Sequence, residues 1–138
     1  MPQTIPIIEF LKNAETITVI DVRSEAEFEH SHIPTAINLP LFNNEERKIV
    51  GTIYKQEGRQ AAILKGLELV GPKMKHLVET AKEIKNNGTF LMYCWRGGMR
   101  SSSVAWLLET FGFKIFVLKG GYKSFRKIIL NSFGSPLK

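Results

Sequence analysis

Chemistry in this chain gathers in one segment, Phe90-Leu91-Met92-Tyr93-Cys94-Trp95-Arg96-Gly97-Gly98-Met99-Arg100-Ser101. An apolar run ends at Cys94, the only cysteine in the sequence. A glycine-containing stretch follows, and a helical pattern begins at about Arg100. In an open parallel sheet, ligands bind beyond the carboxyl ends of strands, so this spacing predicts the thiol at the mouth of a site. Gly97 and Gly98 let the backbone curl until successive N–H groups face inward as an anion nest. The helix that follows adds partial positive charge at its N-terminus. Arg100 closes the stretch with a cationic fork, while Arg96 points either into the cradle or to solvent. Each of these features favours a thiolate, so the segment reads as a nucleophilic cysteine. Its cradle would hold the oxygens of a phosphate-like anion, or a persulfide or perselenide carried on the sulfur. The competing reading is a buried structural cysteine.

A thiol loop of this kind needs a sheet to hold it. Thr89–Tyr93 reads as the buried strand that leads into Cys94. Thr16–Ile20, β-branched and followed by Asp21, reads as another, Ile115–Leu118 as a third, and Ala36–Leu39 as a short strand between Pro34 and Pro40. Helical patterns fall between them. Ile7, Ile8 and Leu11 suggest a short helix, and Ser24 with Glu27 forms a capping box for another. Asn43 and Glu46 open a helix towards Gln56, and Ile63, Leu67 and Val70 mark the next. Met74, Leu77, Val78, Ala81 and Ile84 share a face that stops at Asn86-Asn87-Gly88. Val104, Leu107, Leu108 and Phe111 share another, and Phe125, Ile128 and Ile129 a last one. The alternation predicts an α/β fold with a mainly parallel central sheet flanked by helices on both faces. No repeat, low-complexity stretch or interior linker interrupts it, so a single domain is expected over residues 1–138, with 134–138 as a loose tail.

The chain has 138 residues, 43% of them hydrophobic, which suits one ordinary core. No apolar run approaches the ~18–20 residues needed to cross a bilayer, so no membrane partner is expected. Met1–Phe10 lacks a signal-peptide pattern, and a lone cysteine makes no internal disulfide; a cytoplasmic setting fits. His30, His32 and His76 show no metal-ligand spacing, and no metal is expected. The net charge is +6 and is unevenly spread. Residues 1–69 carry 7 Lys+Arg against 10 Asp+Glu, whereas residues 70–138 carry 12 against 3. A basic half suits an anionic partner, although many small basic domains bind none.

The strand–cysteine–loop–arginine–helix segment resembles the active-site loop of rhodanese-like domains. Asp21-Val22-Arg23 with Glu27-Phe28, Ser31-His32-Ile33-Pro34-Thr35-Ala36-Ile37-Asn38, and Lys119-Gly120-Gly121-Tyr122 are similar to further motifs of that fold, with Ser31 and Thr35 in place of glycines. Five residues, Trp95 to Met99, separate Cys94 from Arg100, where the commonest rhodanese loop has four. Five is the spacing of rhodanese-fold phosphatases and arsenate reductases. A narrower resemblance covers Tyr93–Ser101 together with Leu39-Pro40-Leu41-Phe42, Glu45-Glu46-Arg47 and Val50-Gly51-Thr52-Ile53-Tyr54-Lys55-Gln56. These look like the tRNA 2-selenouridine synthases, whose helical insertion would lie around residues 43–70. That resemblance implies a selenium or sulfur transferase acting on wobble 2-thiouridine of tRNA. Selenophosphate would be the donor and a prenyl diphosphate a co-substrate, with no resident cofactor. The family joins this domain to a P-loop domain, and no G-x-x-x-x-G-K-[S/T] occurs here. A truncated piece or one half of a split enzyme is therefore expected, with a P-loop domain or subunit as partner. The other readings are a stand-alone thiosulfate sulfurtransferase, a phosphatase or arsenate reductase, and a non-catalytic docking module.

On this view Cys94 is the nucleophile and carrier, and Arg100 holds the incoming anion unless it is only a helix-start ion pair. Trp95 and Met99 offer apolar surface to a prenyl group or a base, or one of them packs into the core. Asp21 and Arg23 are expected to brace the loop from the first strand. His32 is expected to cap a turn. Lys119, Lys123, Arg126 and Lys127 are candidates for tRNA phosphates, with a solvated helix face as the alternative.

Overall fold

The computed structural model describes residues 2–134. Five parallel strands form one sheet in the order β1-β5-β4-β2-β3: β1 (Gln3–Ile5), β2 (Thr18–Asp21), β3 (Ile37–Asn38), β4 (Thr89–Tyr93) and β5 (Lys114–Leu118). β4 is central, with Val19 and Phe116 both in register with Leu91. Strand side chains alternate between faces, and here both faces are dry. Phe90 and Met92 enter one buried cluster with Ile20, Ile115, Leu77, Ala81, Val104 and Leu108. Leu91 and Tyr93 enter the other with Val19, Leu118, Phe10, Ile33, Tyr122 and Phe125. α5 (Met74–Glu83) and α6 (Met99–Phe111) thus cover one face, while α1 (Ile7–Asn13) and α7 (Gly121–Gly134) cover the other. Burying a side chain the size of Phe90 or Leu91 contributes ~1.5–3 kcal/mol, so this strand is the anchor of the cysteine that follows it.

Local sequence explains most boundaries. The Ser24 N–H and hydroxyl both donate to Glu27 Oε1, at 3.2 and 2.9 Å, opening α2 (Glu25–His30). Asn43 and Glu46 exchange reciprocal bonds of 3.0 and 2.8 Å at the start of α3 (Asn44–Glu57). Gly58, at φ 99°, passes the chain directly from α3 into α4 (Arg59–Val70). This α3–α4 hairpin is the helical insertion expected around residues 43–70.

Three elements differ from expectation. β1 was not expected: it is a three-residue edge strand on β5 in which only Ile5 is buried. The strand expected over 16–20 lies two residues later at its start, at Thr18–Asp21. α7 begins at Gly121 and runs to Gly134, so the tail expected to be loose is helical at its first residue, and 135–138 lie outside the described residues. Among the described residues no helix is long and apolar enough to cross a membrane.

Candidate functional site

Cys94 lies one residue beyond β4, where the sheet ends and the chain must turn. It is 2% exposed and belongs to the same buried cluster as Val22, Leu41, Phe42 and Val104. The thiol predicted at an open mouth is therefore covered. Its Sγ donates to Ser101 Oγ at 3.1 Å, and that hydroxyl donates on to Gly98 O at 3.2 Å. Ser101 is fully buried in the first turns of α6, so thiol, loop and helix start are linked through one side chain.

The curl of the loop rests on Gly97. Its φ is 75°, and a Cβ there would meet Gly120 N at 3.2 Å and Leu118 O at 3.3 Å. Gly98, expected to be needed for the same reason, has a φ of −92° and open space at its Cβ position. The second support is the Lys119–Tyr122 turn. The Tyr122 N–H donates to Cys94 O at 2.7 Å, and the Lys123 N–H to Trp95 O at 2.9 Å. Gly121, at φ 61°, permits that approach: a Cβ would lie 2.6 Å from Cys94 O and from Trp95 C and O. Only glycine allows two backbones this close.

Asp21 ends β2 in register with Tyr93, the residue before Cys94, and pairs with Arg23. Arg23 Nη2 donates to Asp21 Oδ2 at 2.8 Å, Arg23 Nε to both carboxylate oxygens at 3.1 Å, and the Arg23 N–H to Asp21 Oδ1 at 2.8 Å. Both side chains are almost fully buried. The remaining reach of Nη2 ends on Ser31 O at 2.7 Å, and the guanidinium lies 4.4 Å from the Tyr122 ring centroid. Through Tyr122 the pair touches the turn that holds Cys94 O.

Arg100 is not free. Its Nη1 and Nη2 donate to Glu27 Oε1 and Oε2 at 2.7 and 3.3 Å. Burial pushes the Glu27 carboxyl up, but the bond and charge of Arg100 and two bonds from Ser24 outweigh it and hold the group at about 2. Arg47 approaches from α3, with Nε 3.8 Å from Glu27 Oε1. Glu27, Ser101 and Arg47 are site residues that sequence reasoning missed. Glu27 stood as a capping residue and as part of a motif, Ser101 closed the loop motif without a role of its own, and Arg47 stood only among residues resembling the insertion.

The other expected residues divide clearly. Trp95 is half-buried and packs near Tyr122, with ring centroids 6.0 Å apart, so it is the member of its pair that joins the core. Met99 is 48% exposed, and its sulfur accepts from Arg59 Nη2 at 3.7 Å. Arg96 is exposed. His32 Nδ1 lies 2.7 Å from Phe28 O and its ring stacks on Phe28, as expected of a turn-capping residue. Lys119, Lys123, Arg126 and Lys127 are exposed, and the last three fall on one face of α7 by their i, i+3, i+4 spacing. They adjoin the turn that supports the loop, not the thiol itself.

The model of the rhodanese-like domain family matches residues 8–128. A tRNA 2-selenouridine synthase of Shewanella denitrificans is 41% identical over 132 residues, covering 93% of this chain and 36% of that protein. One from Psychromonas ingrahamii is 40% identical over 114 residues, covering 82% of this chain and 31% of that protein. The chain thus spans about a third of the length of these curated relatives. Among solved structures, the N-terminal domain of a Clostridium difficile 630 protein named for ATP/GTP binding superposes with a TM-score of 0.83 at 44% identity, covering 93% of this chain and 99% of that one. A rhodanese-related protein from Thermoplasma volcanium shares the fold at a TM-score of 0.58 and 18% identity, covering 91% of this chain and 92% of that one.

Proposed function

The chain belongs to the rhodanese-like domain family, and on that premise we propose that it supplies the nucleophilic cysteine of a tRNA 2-selenouridine synthase. The observation that carries this reading is Cys94 itself. It stands at the end of the central strand, bonded to Ser101 at the head of α6, in a chain about 40% identical to proteins of that name. The reaction replaces sulfur by selenium in the wobble 2-thiouridine of tRNA. Selenophosphate is the donor, a prenyl diphosphate the co-substrate, and a P-loop domain or subunit the partner. The greater length of the relatives supports a further domain in the working enzyme.

In this reading Cys94 attacks, Gly97 shapes the cradle of N–H groups, and the α6 N-terminus adds its partial charge. Gly98, Met99, Arg96 and Arg100 line that cradle, Trp95 backs it from the core side, and Asp21 with Arg23 braces it. Lys119, Lys123, Arg126 and Lys127 hold tRNA phosphates. Two observations weigh against phosphatase chemistry. Asp21 is taken up by Arg23, and Glu27 is held ionised, so neither carboxyl is suited to donate a proton to a leaving group. The test is selenium incorporation into tRNA with the P-loop part supplied. Cys94→Ser should abolish it, and full activity in that variant would overturn the assignment.

The rhodanese-family match favours one second reading, a sulfurtransferase acting alone. The Cys94 thiolate would attack the outer sulfur of thiosulfate, forming a persulfide S–S bond. The bond to the sulfonate sulfur breaks and sulfite leaves with its electron pair. Intact-mass measurement should then show one added sulfur on Cys94, and its absence removes this reading.

A further inference from the structure

Among the described residues, two cations of the insertion reach the cysteine loop: Arg59, which donates to Met99 Sδ, and Arg47, whose surroundings are unusual. Its Nε is buried yet donates to no acceptor, the nearest carboxylate oxygen being Glu27 Oε1 at 3.8 Å. Leaving a buried guanidinium N–H without a partner costs its full desolvation, so such a group is expected to have a use. Glu27 does not satisfy it: Oε1, already accepting from Arg100 and twice from Ser24, stays 3.8 Å from the Arg47 Nε. Two guanidinium groups therefore share one carboxylate, leaving one net positive charge beside the cysteine loop. Burial and the charge of Arg100 push the Arg47 pKa down, while Glu27 and Cys94 push it up, so arginine, thiol and carboxylate act on one another electrostatically.

The fold holds Arg47 in place. The Asn43–Glu46 capping box sets the start of α3 one turn before it. Glu46 is clamped to Lys73, which leaves Arg47 on a helix that cannot swing freely. Gly51 stands one turn further on, and a Cβ there would come within 3.2 Å of Arg47 Nη1. The absence of that Cβ leaves room for the guanidinium.

We propose that Arg47 binds a small tetrahedral oxyanion of the phosphate class against the Cys94 loop, completing with Arg100 a two-arginine clamp that spans the insertion and α6. The proposal rests on the reading of Cys94 as a nucleophile served by a phosphate-class donor and adds the insertion residue that holds that anion. Glu27 acts as the placeholder: it holds Arg100 by two bonds and faces Arg47 across 3.8 Å when no anion is bound, and keeps Arg100 aimed when one is. A duplex backbone is the poorer fit, because Arg100 is only 13% exposed and the Nε of Arg47 is enclosed even though that side chain as a whole is 40% exposed.

The test is a titration of the isotope-labelled chain with inorganic phosphate, followed by amide chemical shifts of residues 94–100, with a parallel titration by an anticodon stem-loop RNA. In the wild type the loop amides should shift saturably. Arg47→Met should weaken phosphate about tenfold, the size of one lost charge-assisted pair, with the RNA titration unchanged. Arg47→Lys, which keeps the charge and loses the fork, should lie between the two. Unshifted loop amides in the wild type, or wild-type phosphate affinity in Arg47→Met, would overturn the clamp. So would a loss confined to RNA. Should Arg47→Met fail to fold, Arg47→Lys decides by the same comparison. Selenium incorporation reports separately on Cys94, so failure of the clamp and failure of the nucleophile are distinguishable.

Discussion

Replacing Glu27 by Gln removes the carboxylate that Arg100 holds with two bonds and that Arg47 faces. A carboxyl held at about 2 instead of its usual 4.5 favours the folded state once it is ionised. The linkage converts to about 3 kcal/mol at neutral pH, and partial exposure of the pair reduces this to about 2 kcal/mol. The sign follows from the lowered folded-state pKa. The stabilisation is fully present above pH 4.5 and is lost as pH falls through about 2. Urea unfolding of wild type and Glu27→Gln at a series of pH values is the assay. The wild type should be more stable by about 2 kcal/mol at pH 7, and the gap should shrink to under half of that by about pH 3. A gap that is absent at pH 7, or that persists unchanged at pH 3, would refute the claim that ionised Glu27 holds the arginines.

Other outcomes follow from the same geometry. Gly121→Ala should lower stability by more than about 2 kcal/mol, because a Cβ at φ 61° would sit 2.6 Å from the Cys94 and Trp95 backbone. Gly98→Ala, with open space at its Cβ, should change the melting temperature little. Asp21→Asn should cost about 3–5 kcal/mol in denaturant unfolding, since it leaves the Arg23 charge buried without its partner. If Lys123, Arg126 and Lys127 hold tRNA phosphates, changing all three to Gln should weaken tRNA binding and flatten its salt dependence by about one unit of log–log slope per contact.

How much was legible in the sequence depended on whether a signal was local. β2, β4 and β5 are short apolar runs because both faces of the sheet are covered, and such runs read directly as strands. β1 is three residues at the sheet edge with one buried side chain, too little pattern to see. The cysteine loop was legible because its chemistry is written consecutively: strand, thiol, glycine, arginine, helix. What Arg100 meets was not, since Glu27 lies 73 residues earlier and neither of its visible signals, the capping box and the motif with Asp21-Val22-Arg23, points to a partner on α6. The burial of Cys94, which the competing reading carries, is not decided by the sequence for a related reason. Strand-end position predicts where the thiol stands, whereas side chains that share its buried cluster, such as Leu41 and Phe42, come from the distant stretch leading into the insertion. Gly98 looked as necessary as Gly97 because type alone does not reveal φ.

The central claim is that Cys94 is the reacting nucleophile. Its most direct test is the rate of labelled selenium incorporation into tRNA by wild type, Cys94→Ser and Cys94→Ala, each with the P-loop part supplied and each shown to be folded by its melting curve. The account predicts that both variants lose incorporation by about a thousandfold or more, the scale on which removal of a nucleophile acts. Retention of incorporation within a few-fold of wild type in a folded Cys94→Ala protein would contradict it.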